Sequence, residues 1–510
     1  MKSFDLSVYL VTNSEMVPPG VSFLEQVQKA IENGVTCVQL REKELNTREF
    51  IDRAREVKKL TDKAGIPLII NDRVDIALAV DAHLHVGQED MEVPVARKLL
   101  GPNKIIGVSA SKPEEIQKAL EDGADYVGVG ICFDTQTKVT KKLPMGPMGS
   151  QRLLQIIKDS GKPMKICLIG GINHTNIQRV RAQASIPGRS IDGVAVVSCI
   201  MAAQDAAAAT KELVRLWNDP PNFWDQLDSE SDFNMSASIA NVLSTRPLVH
   251  HITNDVVKNF SANVTLAVGG APLMSECSEE FDDLAQYPNN SLLLNTGTPN
   301  EEQTKMYITA LKAYNRWGKP IVYDPVGAGA STTRKQSIKK LLLEAYMTVI
   351  KGNQGEIFTA AGVEKSMRGV DSGFEESLDS VVAAAKKLAV QSRSVVVVSG
   401  KTDVVVDGIL HGRRDITGNV PIAFIRGGHE IMSRVTGTGC SLGSTIAAFV
   451  AANRSNPFLA TVIACSIYKR AGEKAGAEAS GPGTFQALFL DKLNECVKTK
   501  DFENPEIILT

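Results

Sequence analysis

Along the first 217 residues, short runs rich in β-branched and aliphatic residues alternate with amphipathic stretches. The runs cover 7–12, 35–40, 67–71, 82–86, 104–109, 126–130, 165–170 and 191–197. Apolar positions at helical spacing lie between them, for example at 47–63, 112–122 and 148–160. Runs this short suit buried strands, and a helix or short turn after each predicts parallel pairing. Eight such units match a (β/α)8 TIM barrel in number and size. A doubly wound open sheet is the competing arrangement, but it rarely needs so many consecutive βα units.

The rhythm is again α/β after residue 235, with longer helices and more glycine. Buried strands are predicted at 291–295, 320–324, 348–350, 394–399 and 403–407. Together they describe a layered α/β sheet with helices on both faces. Between the halves, residues 218–235 are rich in Pro, Asp and Ser without sustained periodicity, and read as a linker. Trp217, just before this seam, and Trp224 within it suggest that it is partly tacked onto a domain. The expected organisation is a domain over 1–217, a linker over 218–235 and a second domain over 236–510, with no repeat relating the two.

At 510 residues the chain exceeds one ordinary core, and 43% hydrophobic with 22% charged residues is globular composition. A net charge of -2 provides no basic field, which argues against a nucleic-acid partner. Apolar runs such as 395–398 are far too short to span a bilayer, and the first residues hold no apolar core of signal-peptide length. The eight cysteines form no C-x-x-C pair, and several lie in apolar runs. They read as reduced core thiols of a cytoplasmic protein.

In a barrel, chemistry gathers where the strands end. Here the ends carry Gln39-Leu40-Arg41-Glu42-Lys43, Asn71-Asp72-Arg73, Gly87-Gln88-Glu89-Asp90, Gly107-Val108-Ser109-Ala110, Thr135-Gln136-Thr137-Lys138, Gly170-Gly171-Ile172 and Val196-Val197-Ser198. Two carboxylates, Asp72 and Asp90, with three cations, Arg41, Lys43 and Lys138, suit a pyrophosphate bound through Mg²⁺. Taken singly, each Asp is an ordinary cap and the Arg-Glu-Lys an ordinary solvated turn. His83 and His85 read as packing or hydrogen-bonding residues. Joint placement at successive strand ends is what favours a site.

This set resembles thiamine-phosphate synthase across nearly all of residues 5–215. The resemblance implies condensation of hydroxymethylpyrimidine pyrophosphate with hydroxyethylthiazole phosphate, through loss of pyrophosphate to a pyrimidine-methyl cation. It assigns Asp72 and Asp90 to Mg²⁺, and Gln39, Arg41, Lys43, Asn71, Ser109 and Lys138 to the pyrimidine pyrophosphate. Thr135, Thr137, Gly171, Val197 and Ser198 would hold the thiazole phosphate. Ser109 and Lys138 are the candidate catalytic residues. Phe133-Asp134 departs from the family pattern of an aromatic followed by Pro, so the shape of that loop is open.

In the second half, Val435-Thr436-Gly437-Thr438-Gly439-Cys440-Ser441 leads into an apolar helical run. A loop of small residues that opens a helix suits a phosphate oxyanion, and the same field would favour a Cys440 thiolate, although a buried, inert Cys beside a tight turn fits about as well. Further motifs are Val249 to Val257, Asp324-Pro325-Val326-Gly327-Ala328-Gly329, Lys351-Gly352-Asn353-Gln354-Gly355-Glu356 and Ser399-Gly400. Asn353 and Glu356, spaced N-x-x-E, can both face a hydrated Mg²⁺, although Asn353 also suits a helix cap and Asp324-Pro325 a turn. His250-His251 fit structural roles, since adjacent strand residues point to opposite faces. No Walker P-loop is present.

These motifs resemble hydroxyethylthiazole kinase of the ribokinase-like fold over roughly residues 240–505. The resemblance implies phosphorylation of the thiazole alcohol by ATP with Mg²⁺. It places Asn254, Val256 and Met274 at the thiazole, Arg334, Ser399 and Gly437 at ATP, and Asn353 and Glu356 in the Mg²⁺ network. Cys440 stands where related sugar kinases carry an Asp base. The family's pocket between subunits of a trimer implies a homo-oligomer. One half's product is the other's substrate, and the whole resembles the bifunctional thiamine-biosynthesis enzymes of fungi. The alternative keeps one half as an assembly or regulatory domain.

Overall fold

A computed structural model describes residues 3–135, 137, 143–227, 234–297, 299–363, 377–409 and 419–509. The chain divides into two compact units, Met1–Pro221 and Asn222–Thr510.

The first unit is a closed barrel of eight parallel strands: β1 Leu6–Val11, β2 Cys37–Leu40, β3 Leu68–Asn71, β4 His83–Val86, β5 Ile106–Ser109, β6 Tyr126–Gly130, β7 Lys165–Ile169 and β8 Gly193–Val196. The sheet closes as β1 pairs with both β2 and β8. The period-two alternation of strands sorts the side chains. Tyr9, Cys37, Ile69, Tyr126, Cys167 and Ala195 cluster together, whereas Val8, Leu10, Val38 and Ile70 belong to a second core with the helices. Sequence chemistry also ends the helices: Thr47–Ala64 starts with a capping box between Asn46 and Glu49, and Gly65 closes it at φ 69°.

The second unit is a nine-stranded sheet: β9 Leu248–Ile252, β10 Ala271–Met274, β11 Asn290–Asn295, β12 Ile321–Asp324, β13 Val349–Asn353, β14 Val395–Ser399, β15 Asp403–Asp407, β16 Pro421–Ile425 and β17 Glu506–Leu509. Their spatial order is β10-β9-β11-β12-β13-β14-β15-β16-β17. From β10 to β14 neighbours are parallel, while β14 to β17 pair antiparallel. The helix Thr438–Ala452 is buried almost all round, as its lack of charge requires. Its start lies beside the ends of β11, β12 and β13.

The predicted linker is divided. Asn218 ends the helix Ala206–Asn218, and Met235 begins the helix Met235–Thr245. Phe223 stacks on Tyr346 with centroids 4.1 Å apart, and Trp224 Nε1 donates to the Tyr346 hydroxyl at 2.9 Å. Aromatic burial thus ties residues 222–224 to the second unit, while 228–233 lie outside the described residues. Among the described residues, no helix is long and apolar enough to cross a membrane.

Two candidate active sites

The strand ends of the barrel surround a cavity of about 560 Å³. Its lining brings together Gln39, Arg41, Lys43, Asn71, Asp72, Asp90, Ser109, Thr135, Thr137, Gly171, Val197 and Ser198. Lys138 lies outside the described residues. Lys43 Nζ meets Asp72 Oδ2 at 2.7 Å, and the Gly87 N–H donates to Asp90 Oδ2 at 2.7 Å. Glu42, between the two cavity cations, turns instead to Arg53 at 2.9 Å and to the Ser14 hydroxyl.

Asp72 adopts φ 61°, which an Asp tolerates better than most residues, and its N–H donates to the His85 carbonyl at 2.8 Å. The Asp72 and Asp90 carboxyls face each other. Burial, and then the neighbouring Asp72, raise Asp90 above the usual carboxylate range. Burial pushes Asp72 the same way, but Lys43 and a hydrogen bond from Asp90 outweigh it and hold Asp72 low. Such a pair shares a proton unless a cation lies between. The donors are hard oxygens, as Mg²⁺ prefers, and two carboxylates leave the remaining positions to water and phosphate. Among the described residues, no cluster of three or more His, Cys, Asp or Glu could hold a metal alone.

At the opposite side of the mouth, Gly171 has φ 64°, and a Cβ there would come within 2.5 Å of the Asp134 carbonyl. The Phe133-Asp134 loop is therefore packed directly onto the Gly170-Gly171 turn. The helix Ser198–Met201 begins straight after β8, which puts Val197 and Ser198 at a helix start beside it.

In the second unit, Gly437 opens the helix Thr438–Ala452 with φ 96°. Asn254 donates to Asn295 Oδ1 at 3.1 Å. Arg334 donates to the Val326 carbonyl at 2.8 Å and to that of Gly297. The Ser399 hydroxyl donates to the Gly352 carbonyl at 3.3 Å. Met274 ends β10, half-buried, whereas Val256 is 76% exposed.

Asn353 and Glu356 do form a capping box, opening the helix Gln354–Ala360. Glu356 accepts the Asn353 N–H at 2.7 Å and the Gly327 N–H at 2.8 Å. Burial, followed by the charge of Asp324, raises its carboxyl to about 7. With each oxygen already accepting one N–H, this carboxylate suits contact with a hydrated cation.

Sequence reasoning left two residues out of this site. Asp324 ends β12, Lys351 lies in the middle of the adjacent β13, and they are 1% and 3% exposed. Lys351 Nζ lies 3.1 Å from Asp324 Oδ2 and donates to the Gly439 carbonyl at 2.7 Å. Asn295 donates to the same Asp324 oxygen at 3.2 Å, while Oδ1 is buried without a hydrogen-bond partner among the described residues. An orphaned carboxylate oxygen beside Glu356 fits a divalent cation.

The Cys440 thiol does not follow the thiolate reading. Burial first, and then the Asp324 charge, raise its pKa to about 11, although Lys351 pulls the other way. Desolvation therefore outweighs the helix field, and the thiol stays protonated at neutral pH. His250 and His251 are structural. His250 bonds the Tyr314 hydroxyl and the Ser275 carbonyl, and His251 bonds the Ser444 hydroxyl and the Val249 carbonyl.

The thiamine monophosphate synthase family model matches residues 8–200, and the hydroxyethylthiazole kinase family model matches residues 239–499. A thiamine biosynthetic bifunctional enzyme of Saccharomyces cerevisiae is 43% identical over 96% of this chain and 95% of its own. The chain belongs to the bifunctional thiamine biosynthetic enzymes. Each half also has single-function relatives. The hydroxyethylthiazole kinase of Thermoanaerobacter pseudethanolicus is 43% identical, covering 49% of this chain and 89% of its own. The thiamine-phosphate synthase of Clostridium tetani is 42% identical, covering 43% and 99%. The barrel is thus the synthase domain and the nine-stranded sheet the hydroxyethylthiazole kinase domain of a bifunctional enzyme, and the kinase uses ATP.

Proposed function

We propose that both sites work with Mg²⁺ and with the residues gathered above. In the synthase, Arg41, Lys43, Asn71, Ser109 and Lys138 hold the pyrophosphate of hydroxymethylpyrimidine pyrophosphate, and Gln39 meets the same substrate. Asp72 and Asp90 are the carboxylates that would hold Mg²⁺, which when bound supplies positive charge shared with phosphate oxygens. Thr135, Thr137, Gly171, Val197 and Ser198 hold the thiazole phosphate. The cations stabilise the departing pyrophosphate, and the enclosed barrel mouth keeps water from the pyrimidine-methyl cation. The observation that carries this reading is the facing pair of Asp72 and Asp90 beside Lys43.

In the kinase, Asn254, Val256 and Met274 hold the thiazole, and Arg334, Ser399 and the Gly437 helix start receive ATP. Glu356, Asn353 and the orphaned Asp324 carboxylate serve the cation. Cys440, protonated, orients the alcohol rather than acting as a strong base. The 76% exposure of Val256 supports a thiazole pocket completed by a second copy, in a trimer or a multiple of it. Eight free cysteines, mostly buried, support a cytoplasmic enzyme.

The test supplies hydroxyethylthiazole, ATP and hydroxymethylpyrimidine pyrophosphate with and without Mg²⁺. Both reactions should stop in excess chelator and return with Mg²⁺. A synthase rate that persists in chelator contradicts the metal assignment.

A further inference from the structure

Five side chains from five strands form one continuous file of hydrogen bonds inside the barrel. Gln39 Nε2 donates to the Tyr9 hydroxyl at 2.6 Å, and the Tyr9 and Tyr126 hydroxyls lie 2.8 Å apart. The Tyr126 hydroxyl lies 2.8 Å from His85 Nδ1, and His85 Nε2 lies 3.0 Å from the Ser109 hydroxyl. Gln39 and Ser109, at the two ends, border the synthase cavity. Tyr9 and His85 also line that cavity, while Tyr9 and Tyr126 are closed to bulk solvent at 1% and 0% exposure.

The surrounding strands make room for this file. A Cβ at Gly107 would sit 2.1 Å from the Tyr126 ring, and one at Gly128 would sit 3.2 Å from His85 Cε1. Two neighbouring strands therefore lack side chains where the two rings pass.

Proton counting sets the direction of the file. Each tyrosine has one hydroxyl proton, and a neutral imidazole has one N–H. With the Gln39 amide donating to Tyr9, Tyr9 donates to Tyr126 and Tyr126 to His85 Nδ1. The imidazole proton is then on Nε2 and is donated to Ser109. The reverse direction would have the Tyr9 oxygen accept twice and leave its own proton without a partner in the file. Burial raises both tyrosine hydroxyls well above their ordinary pKa, so they remain donors. The Ser109 oxygen is thus filled by His85, and its own proton is released toward the cavity.

We propose that Tyr9, Tyr126 and His85 are positioning residues that present the Ser109 hydroxyl as a fixed donor to the leaving pyrophosphate. This rests on the reading of Ser109 as a pyrophosphate contact. Donation to an oxygen that gains charge as the bond breaks is strongest in the transition state, so the file acts on kcat more than on KM. Without the Tyr126 hydroxyl, the file no longer fixes the imidazole proton on Nε2, and Ser109 can turn to donate to His85 instead.

The test uses full-length Tyr126→Phe, Ser109→Ala and the double variant, with Tyr9→Phe as a second probe should Tyr126→Phe not fold. Tyr126→Phe should lower synthase kcat about ten-fold, less than the loss of a transition-state donor outright, with KM unchanged. Ser109→Ala should lower kcat at least as much, and the double variant no further. Nitrogen-15 NMR should find the Nε2–H tautomer of His85 in the parent and a mixture in Tyr126→Phe. Losses that multiply in the double variant, full activity of Tyr126→Phe and Tyr9→Phe beside an impaired Ser109→Ala, or an Nδ1–H tautomer in the parent overturns the relay. A fully active Ser109→Ala overturns the reading of Ser109 itself, and the relay with it.

Discussion

Lys351 meets Asp324 at 3.1 Å with neither side chain in reach of bulk solvent. Burial opposes the ammonium charge, but the carboxylate of Asp324 beside it outweighs burial and holds Lys351 above its ordinary pKa. The same ammonium fastens the Gly439 carbonyl, so one side chain joins β13, β12 and the helix start. Lys351→Met strands a buried carboxylate, which typically costs about 3–5 kcal/mol. The expected outcome is an earlier unfolding transition of the kinase unit and loss of thiazole phosphorylation. Synthase activity should remain. Denaturant unfolding with separate assays of the two reactions checks this.

Cys440 is a weak base with its pKa at about 11. Its removal should therefore cost less than the 10²–10⁴-fold typical of a general base. Cys440→Ala is expected to lower kinase kcat by less than about 100-fold, and Cys440→Asp to keep or raise activity. A folded but inactive Cys440→Asp protein counts against any base-like role at this position.

Asp72→Ala and Asp90→Ala should each nearly abolish thiamine phosphate formation and leave phosphorylation of the thiazole unchanged. Only the synthase pyrophosphate needs that pair. A near-normal synthase rate in either variant at saturating Mg²⁺ would show that the pair is not the metal position.

His251 is neutral in the folded chain, because burial lowers its pKa from 6.5 to about 4. Below pH 6.5 the unfolded chain takes up a proton here that the folded chain refuses. Stability is thus full above pH 6.5 and falls as pH drops toward 4, by about 3 kcal/mol over the window. Urea unfolding of the parent and His251→Gln across this range should give a shallower pH slope in the variant. Equal slopes would mean that His251 carries no such linkage.

The sequence placed all eight barrel strands and the residues at their ends, because period-two burial and strand–helix alternation are local signals. The strand β10 was not singled out, and β16 and β17 were not legible. Pro421 opens one, and the other is four residues next to the chain end. The Asp324–Lys351 pair was hidden for another reason. It needs the register that puts Tyr323 opposite Ile350, and 27 residues separate the partners. The Tyr9–Tyr126 contact spans 117 residues and depends on closure of the barrel. Of the two readings open for Cys440, the buried thiol holds, because burial exceeds the field of its own helix. Asn353, conversely, was legible both as a cap and as a site residue, and its cap is formed.

We propose that the synthase and kinase sites act independently and exchange thiazole phosphate through solvent. Mixing full-length Asp72→Ala, which should only phosphorylate, with full-length Glu356→Ala, which should only condense, tests it most directly. Supplied with hydroxyethylthiazole, ATP, Mg²⁺ and hydroxymethylpyrimidine pyrophosphate, neither protein alone should make thiamine phosphate. The mixture should make it after a lag that shortens as the phosphorylating partner is increased. A mixture that stays silent, although each protein retains its own half-reaction, would contradict two independent sites.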